Sequence, residues 1–242
     1  MPNHPVPRLS TDTLKVQRAS AKTRILVEKL RLFVSSMRFP ERTPRAELAI
    51  TLLMASMEHA EGVAFLMEHG PRYYGMPACA LVRPQIECLL RGIFFNSADA
   101  THQEIVYFIE NDQLPKRPDA EGKMRALSLA YLETLATEEL GHISNQLSGS
   151  PLTRLFAFRP SELHGFVHGG AMLVKQYGIS HASIGFNAPD NELLALLGSC
   201  GLAAGYAMTY IAARIATGPG EEPAALRAAH DAFLAEFLDR PQ

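Results

Sequence analysis

Residues 193–213 read LLALLGSCGLAAGYAMTYIAA and contain no charged side chain. A helix of this length could span a bilayer. Three glycines, a serine, a threonine and two tyrosines dilute its hydrophobicity, and such residues insert only weakly into lipid. The segment also stands alone in the chain. We therefore expect a central core helix, with a single membrane span as the less favoured alternative.

The apolar residues around this segment repeat with the period of a helix, and strand-like alternation is missing. The predicted helices cover about residues 11–37, 43–70, 76–96, 101–111, 120–140, 160–177, 189–217 and 222–238. Residues 179–188 are expected to be irregular. The sequence contains no internal repeat and no long linker. It therefore predicts an all-α, single-domain antiparallel bundle of six to eight helices over residues 11–240, after a disordered tail at 1–10.

The composition narrows the classes of function. A chain of 242 residues with 47% apolar residues can bury a sizeable core. Its net charge of −2 gives no overall attraction to nucleic acid or to anionic membranes. Three cysteines without metal-ligand spacing, and an N-terminus without signal-peptide features, favour a cytoplasmic protein with reduced thiols. Two basic clusters are expected to be solvated loop charge: Arg38, Arg42 and Arg45, and Lys116, Arg117, Lys123 and Arg125.

A charged stripe lies on the third predicted helix. Arg83, Glu87 and Arg91 are spaced at i, i+4 and i+8, so they share one helix face. The apolar Leu90 and Phe94 flank this face, which indicates that the charges point inward or into a cleft. Charges withdrawn from water must be paired or must serve a ligand. The stripe is thus either a ligand-binding site or a structural ion-pair ladder.

The most unusual segment is residues 159–170, RPSELHGFVHGG. His164 and His168 are four residues apart and share a helix face, and Arg159 lies one turn or more before them. Each glycine inside a helix is unfavourable by about 1 kcal/mol relative to alanine. Three glycines in one short segment indicate a specific use of the backbone, so we predict that this segment forms the second half of a site.

Two glycine pairs predict close helix crossings. Gly165 and Gly169 form a small-residue groove beside the histidines, and Gly201 and Gly205 form a second such pair. Either face could receive a helix of the same chain or of a second copy. We expect a homodimer through one of them.

Three kinds of chemistry fit these residues. In metal-free RNA cleavage, His164 would act as general acid or base and Arg159 would bind the phosphate, while the 2′-hydroxyl of RNA supplies the nucleophile. In a zinc site, His164 and His168 would be joined by Glu87. In the third alternative there is no catalysis. The stripe of Arg83, Glu87 and Arg91 binds an anion or nucleotide, or it only stabilises the fold.

The metal alternatives are less favoured. No third-ligand motif accompanies the His164–His168 pair. Glu139 and His142 have the spacing of half a di-iron motif, but no second half is present and they fall at a helix end. We therefore expect neither a metal nor a cofactor.

Two blocks of the sequence resemble a known family. Leu81–Arg91 and Leu163–Gly170 are similar to the two signature blocks of a bacterial family of all-helical proteins of unknown function. One block of that family carries an arginine, a glutamate four residues later and often a second arginine; the other ends in His-Gly. The resemblance implies that Arg83, Glu87 and His168 come together, and it implies no activity.

The chain is more remotely similar to HEPN domains, the helical bundles of toxin and abortive-infection systems. Their motif is an arginine, usually followed by a polar residue, with a histidine four to six residues further on. Arg159 and His164 match this spacing, and Pro160 departs from the polar residue. The resemblance implies a homodimer with a composite site.

The leading hypothesis is a cytoplasmic, HEPN-like defence or stress protein that acts on RNA or nucleotides without metal, a metal-independent ribonuclease. His164 or His168 would be the acid or base, and Arg159 or Arg83 the phosphate clamp. The alternative is a non-catalytic helical module that senses a ligand or binds a partner, with a structural charge network at Arg83, Glu87 and Arg91. A single-span membrane protein is the third.

Overall fold

The fold is a bundle of long helices. A computed structural model describes residues 11–40, 43–143, 177–180, 183–186, 188–217 and 222–238. Seven helices lie in these ranges: α1 (Thr11–Ser36), α2 (Pro44–His69), α3 (Pro71–Asn96), α4 (His102–Asn111), α5 (Leu129–Ile143), α6 (Asp190–Arg214) and α7 (Ala224–Leu238). The prediction of an all-α bundle is confirmed. Residues 1–10, the predicted tail, lie outside the described residues.

Two short antiparallel hairpins accompany the helices. The first pairs β1 (Lys116–Pro118) with β2 (Met124–Ala126), and the second pairs β3 (Tyr177–Ser180) with β4 (Ser183–Phe186). The prediction of a helix from residue 120 was wrong, since α5 begins at Leu129. Asp119 explains this, because its side chain accepts hydrogen bonds from the backbone N–H groups of residues 121 and 123 and stabilises a turn instead. The expectation of irregular chain over 179–188 was also wrong for the β3–β4 hairpin.

The helices α2 and α3 form the central pair. Only Gly70 separates them, so they run antiparallel and pack along their length. Gly70 has a φ of 153°, a backbone conformation that side chains rarely adopt, which is why glycine occupies this corner. The third helix begins at Pro71, five residues earlier than predicted.

The helices α1, α6 and α7 complete the bundle around this pair. α6 packs against α1, α2 and α3, and α7 packs against α1. A cluster of buried apolar side chains joins these elements, and its largest members include Phe94, Phe95, Tyr210 and Phe233. Burial of such side chains contributes about 1.5–3 kcal/mol each and supplies the main driving force for the bundle.

Two helices begin with a side-chain cap. The side chain of Thr43 accepts a hydrogen bond from the backbone N–H of Ala46, and Pro44 occupies the first position of α2. Thr101 and Glu104 form a reciprocal capping box at the start of α4. These caps satisfy N–H groups that a helix leaves without partners at its first turn.

The charge-free segment 193–213 forms most of α6. More than half of its apolar stretch (56%) is buried within the bundle, which is typical of a core helix. A second helix, α2, is also long and apolar enough to cross a membrane, and 39% of its apolar stretch is buried. The sequence analysis expected the 193–213 segment to be the single candidate span of the chain. This expectation was wrong, because α2 is a second one.

Gly201 and Gly205 of α6 have different surroundings. A Cβ at Gly201 would lie 2.6 Å from the Cζ of Phe233, so this glycine makes room for α7 within the same chain. A Cβ at Gly205 would meet no atom within 4 Å. Homodimer formation through this face stays a prediction, and Gly165 and Gly169 lie outside the described residues.

We expect opposite effects from alanine at these two positions. Gly201→Ala forces Cβ against the buried Phe233 ring and should lower the free energy of unfolding by about 1–2 kcal/mol, because overpacking outweighs the gain in helix propensity. Gly205→Ala is the matched control and should raise it by up to about 1 kcal/mol. Urea denaturation measures both, and equal stability of the two variants would contradict the proposed role of Gly201.

Candidate functional site

The stripe on α3 forms a chain of ion pairs. The Nε of Arg83 donates a hydrogen bond to Oε1 of Glu87 over 2.7 Å, and the Nη2 of Arg91 donates to Oε2 over 2.7 Å. Each carboxylate oxygen therefore accepts a bond from a different guanidinium. Two positive charges share one negative charge, which leaves the stripe with a net charge of +1.

The packing of α3 sets the exposure of these side chains. The helix buries its opposite side, including Val82, Ile86 and Leu89, in the core. The side chain of Glu87 is 17% exposed, and those of Arg83 and Arg91 are 26% exposed. The stripe is therefore partly withdrawn from water but open enough for a ligand to approach, as its apolar flanks had indicated.

One donor of the stripe is enclosed by the protein. The Nε of Arg91 is buried and makes no hydrogen bond to any described residue. A buried donor without an acceptor is unfavourable by about 1–3 kcal/mol, and more for a charged group. A ligand would therefore contact the other N–H groups of this guanidinium.

Cysteine chemistry does not contribute to this site. Burial raises the pKa of the Cys88 thiol, and the neighbouring Arg91 only partly opposes this effect. Burial also raises the pKa of Cys79 to about 12, and raises that of Cys200. All three thiols stay protonated near neutral pH and are therefore poor nucleophiles.

The second half of the predicted site lies outside the described residues. This applies to Arg159, His164 and His168. The approach of His168 to Glu87 accordingly stays a prediction.

The described residues hold no group of three or more His, Cys, Asp or Glu side chains that could bind a metal ion. Glu139, considered above as part of a di-iron motif, has its carboxylate 3.6 Å from the Nη2 of Arg214. The zinc alternative depends on His164 and His168 and lies outside the described residues.

The sequence was compared with known proteins. The sequence model of a family of unknown function (DUF6988) matches residues 53–238. The chain belongs to this family. The prediction of a helical family of unknown function is thereby confirmed. No curated protein and no solved structure matches the chain.

The matched region of this DUF6988 member contains a second charged centre, around Arg117, that the sequence analysis missed. Arg117 was expected to be solvated loop charge. Instead its Nε donates to Oε1 of Glu104 over 2.7 Å and its Nη1 donates to Oδ2 of Asp99 over 2.8 Å. The hydroxyl of Tyr131 binds both Arg117 and Asp99, and the guanidinium lies 5.6 Å from the centre of the Phe94 ring. This network fastens the β1–β2 hairpin to α3, α4 and α5.

Arg45 was also expected to be solvated loop charge, and this expectation was wrong. Its Nη1 donates to the carbonyl oxygen of Phe95 over 3.0 Å, and its Nη2 donates to that of Ala100 over 2.5 Å. The guanidinium thus caps the C-terminal end of α3, where carbonyl groups lack helical partners. Neither arginine has a local sequence signal, because their partners are at least 13 residues away along the chain.

A cavity of about 540 Å³ lies beside the Arg117 network. It is lined by one face of α5 and by the turn after α3, and its polar residues include Asp99, Glu138, Glu139 and His142. Carboxylates dominate this lining, so the cavity repels phosphate, whereas the stripe on α3 attracts it.

The pKa of Glu104 predicts an acid-dependent loss of stability. The hydrogen bond from Arg117, more than any other interaction, lowers this pKa from 4.5 to about 2. A lowered folded-state pKa stabilises the protein fully above the unfolded pKa, and this stabilisation is lost as the pH falls through about 2. Glu104→Gln should therefore lower the free energy of unfolding by about 1–2 kcal/mol at pH 7, with partial screening by solvent, and by almost nothing below pH 2.

Chemical denaturation between pH 7 and pH 2 measures this difference. Glu110→Gln is the matched control, because it removes an exposed carboxylate of the same helix that forms no ion pair with any described residue. A Glu104→Gln deficit that stays constant down to pH 2 would show that the carboxylate does not stabilise the fold through Arg117.

Proposed function

We propose that the protein binds a phosphate-bearing ligand, RNA or a nucleotide, at the stripe of Arg83, Glu87 and Arg91. The observation that carries this proposal is the placement of two partly exposed guanidinium groups on one face of α3. The side chains of Arg83 and Arg91 are each 26% exposed, and both donate hydrogen bonds to Glu87 between them. Phosphate oxygens would accept hydrogen bonds from both guanidinium groups.

The stripe supports phosphate binding through preorganisation. A guanidinium presents several N–H donors in one plane and binds phosphate oxygens in pairs. Glu87 holds Arg83 and Arg91 about two turns apart on one face, so their side chains lose little additional freedom on binding. The partial burial of the stripe strengthens the attraction relative to that of a fully hydrated pair.

The catalytic part of the proposal is HEPN-like cleavage of RNA without metal. One histidine of the 159–170 segment would remove the proton of the 2′-hydroxyl, whose oxygen attacks the phosphorus. The leaving 5′-oxygen would take a proton from the second histidine, and Arg159 would stabilise the phosphate charge. The Arg159–His164 spacing supports this proposal, together with the presence of the segment inside the region that the family model matches. The HEPN resemblance supports a homodimer, and three cysteines without metal-ligand spacing support a cytoplasmic location.

A non-catalytic module is the second candidate. It is favoured by one specific observation: both oxygens of Glu87 accept a hydrogen bond from a guanidinium group of α3 itself. In this case the stripe is an ion-pair ladder that stabilises α3, and the protein senses a ligand or binds a partner elsewhere.

Loss of the two arginines should weaken RNA binding. For Arg83→Gln/Arg91→Gln we expect the Kd of a short RNA to rise by about 10- to 100-fold, because charge-assisted hydrogen bonds are lost. The slope of log K against log salt should fall by about 1.4, since each phosphate contact on a single strand contributes about 0.7. Fluorescence anisotropy measures both.

The matched control is Arg125→Gln, an arginine that is 65% exposed and paired with Asp119 on the β1–β2 hairpin. This variant should bind RNA like the unmodified protein. If it weakens binding as much as the double variant does, then the attraction is general surface charge and the stripe is not the site.

Incubation of mixed RNA with and without a chelator tests the catalytic part. We expect cleavage products with 2′,3′-cyclic phosphate ends in both cases, and their loss in His164→Ala or His168→Ala. Cleavage that persists in both variants, or none from the unmodified protein, refutes catalysis and leaves the binding proposal intact.

Glu87→Gln separates the binding site from the structural ladder. The free energy of unfolding should fall by about 1–3 kcal/mol under either candidate, because the two guanidinium groups lose their shared partner. If the stripe binds phosphate, its three residues have a formal charge of +2 in this variant. RNA should then bind more tightly than to the unmodified protein, and added RNA should raise the melting temperature of the variant. A destabilised variant that no phosphate ligand stabilises indicates the structural ladder.

A further inference from the structure

One wall of the cavity of about 540 Å³ is a single face of α5. Tyr131, Leu135, Glu138 and His142 follow one another at intervals of three or four residues, so they share this face. From Tyr131 to His142 the helix rises by about 16 Å, or about three turns. A cavity of this volume is typical of binding sites for small organic molecules. It therefore has room for an elongated molecule that lies along α5.

Carboxylates lie at two separate places along this wall. Near the start of α5, Oδ2 of Asp99 accepts a hydrogen bond from the hydroxyl of Tyr131, which fixes the position of this carboxylate. Further along the helix, Glu138 is exposed and forms no ion pair or hydrogen bond with any described residue. Glu138 follows Tyr131 by seven residues, about two turns or about 10 Å. Leu135 lies between them along the helix, so an apolar side chain separates the two acidic places.

At the Asp99 end, one guanidinium is shared by two carboxylates. Arg117 donates a hydrogen bond to Glu104 over 2.7 Å and another to Asp99 over 2.8 Å. Arg45, which reaches the same turn after α3, binds the carbonyl oxygens of that turn and does not line the cavity. The carboxylate of Asp99 therefore keeps part of its attraction for a further cation.

At the other end, Arg214 balances Glu139 only in part. Its Nη2 lies 3.6 Å from Oε2 of Glu139, which is too long for a hydrogen bond, and its side chain is 40% exposed, so water screens the pair. Glu138, the next residue along α5, has no cationic partner among the described residues. None of the described residues that line the cavity is a lysine or an arginine. The lining therefore attracts cations.

We propose that this cavity binds a linear polyamine, with one ammonium group at Asp99, a second at Glu138 and the methylene chain against Leu135. An ammonium group donates charge-assisted hydrogen bonds to a carboxylate, and the methylene chain covers apolar surface between the two ends. A metal ion would need several oxygen ligands within about 2–2.6 Å of one point. The described residues hold no group of three or more His, Cys, Asp or Glu side chains arranged in this way. Phosphate binding on α3 is a separate proposal, and neither depends on the other.

Isothermal titration calorimetry with two matched amines tests the two-ended site. Octamethylenediamine has an ammonium group at each end of its chain, whereas octylamine has the same chain and a single ammonium group. We expect the diamine to bind the unmodified protein at least about tenfold more tightly, because only the diamine forms a second charge-assisted hydrogen bond. An equal concentration of Mg²⁺ should not displace it.

Glu138→Gln removes one of the two ends. It should raise the Kd of the diamine about tenfold and that of octylamine by only about twofold, because the single ammonium group still binds at Asp99. Glu110→Gln is the matched control, because Glu110 is an exposed carboxylate of α4 that does not line the cavity, and it should leave both affinities unchanged. Circular dichroism checks that both variants fold, which we expect because both side chains are exposed.

Four results would overturn the inference. The unmodified protein could show no heat of binding with the diamine at millimolar concentration, or it could bind octylamine as tightly as the diamine. The Glu138→Gln variant could bind the diamine like the unmodified protein. Finally, Glu110→Gln could weaken binding as much as Glu138→Gln does, or Mg²⁺ could displace the diamine, and the attraction would then be that of general negative charge. None of these results bears on the stripe of α3.

Discussion

The rotation of α3 in the bundle is the constraint on which the candidate site depends. α3 is apolar along one side and packs that side against α2, where Gly92 lets the helices approach so closely that a Cβ would lie 2.7 Å from Leu53. Burial of this side fixes the rotation of α3 about its axis, and helix geometry then sets where every other side chain of the helix points. Arg83, Glu87 and Arg91 are thereby placed at the boundary with solvent.

The fold contains two charged centres that differ in arrangement, one around Arg117 and one around Glu87. Around Arg117, three polar partners and an aromatic ring fully engage a single guanidinium, and the network fastens a hairpin to three helices. Around Glu87, one carboxylate accepts hydrogen bonds from two guanidinium groups. The first arrangement fastens elements together and is structural, whereas the second is the site at which we propose that a ligand binds.

Local patterns predicted the helices well and the hairpins poorly. The caps at Thr43 and Thr101 act within one turn of helix, so their residues can be recognised in the sequence. The i, i+4 spacing of Arg83 and Glu87 is also local, and the ion pair follows directly from helix geometry. The turn at Asp119 interrupts a helical pattern through side-chain hydrogen bonds to the backbone, which apolar periodicity does not detect.

The sequence by itself determined the all-α class, the helix caps and the alignment of the stripe, because each of these depends on neighbours within a few residues. Only the tertiary structure decided which arginines are structural, since the partners of Arg45 and Arg117 come from other elements. It also decided that Gly201 serves the packing of Phe233 and that Tyr73 lies open to solvent. Contacts between distant segments depend on how whole helices pack, and no local pattern encodes that packing.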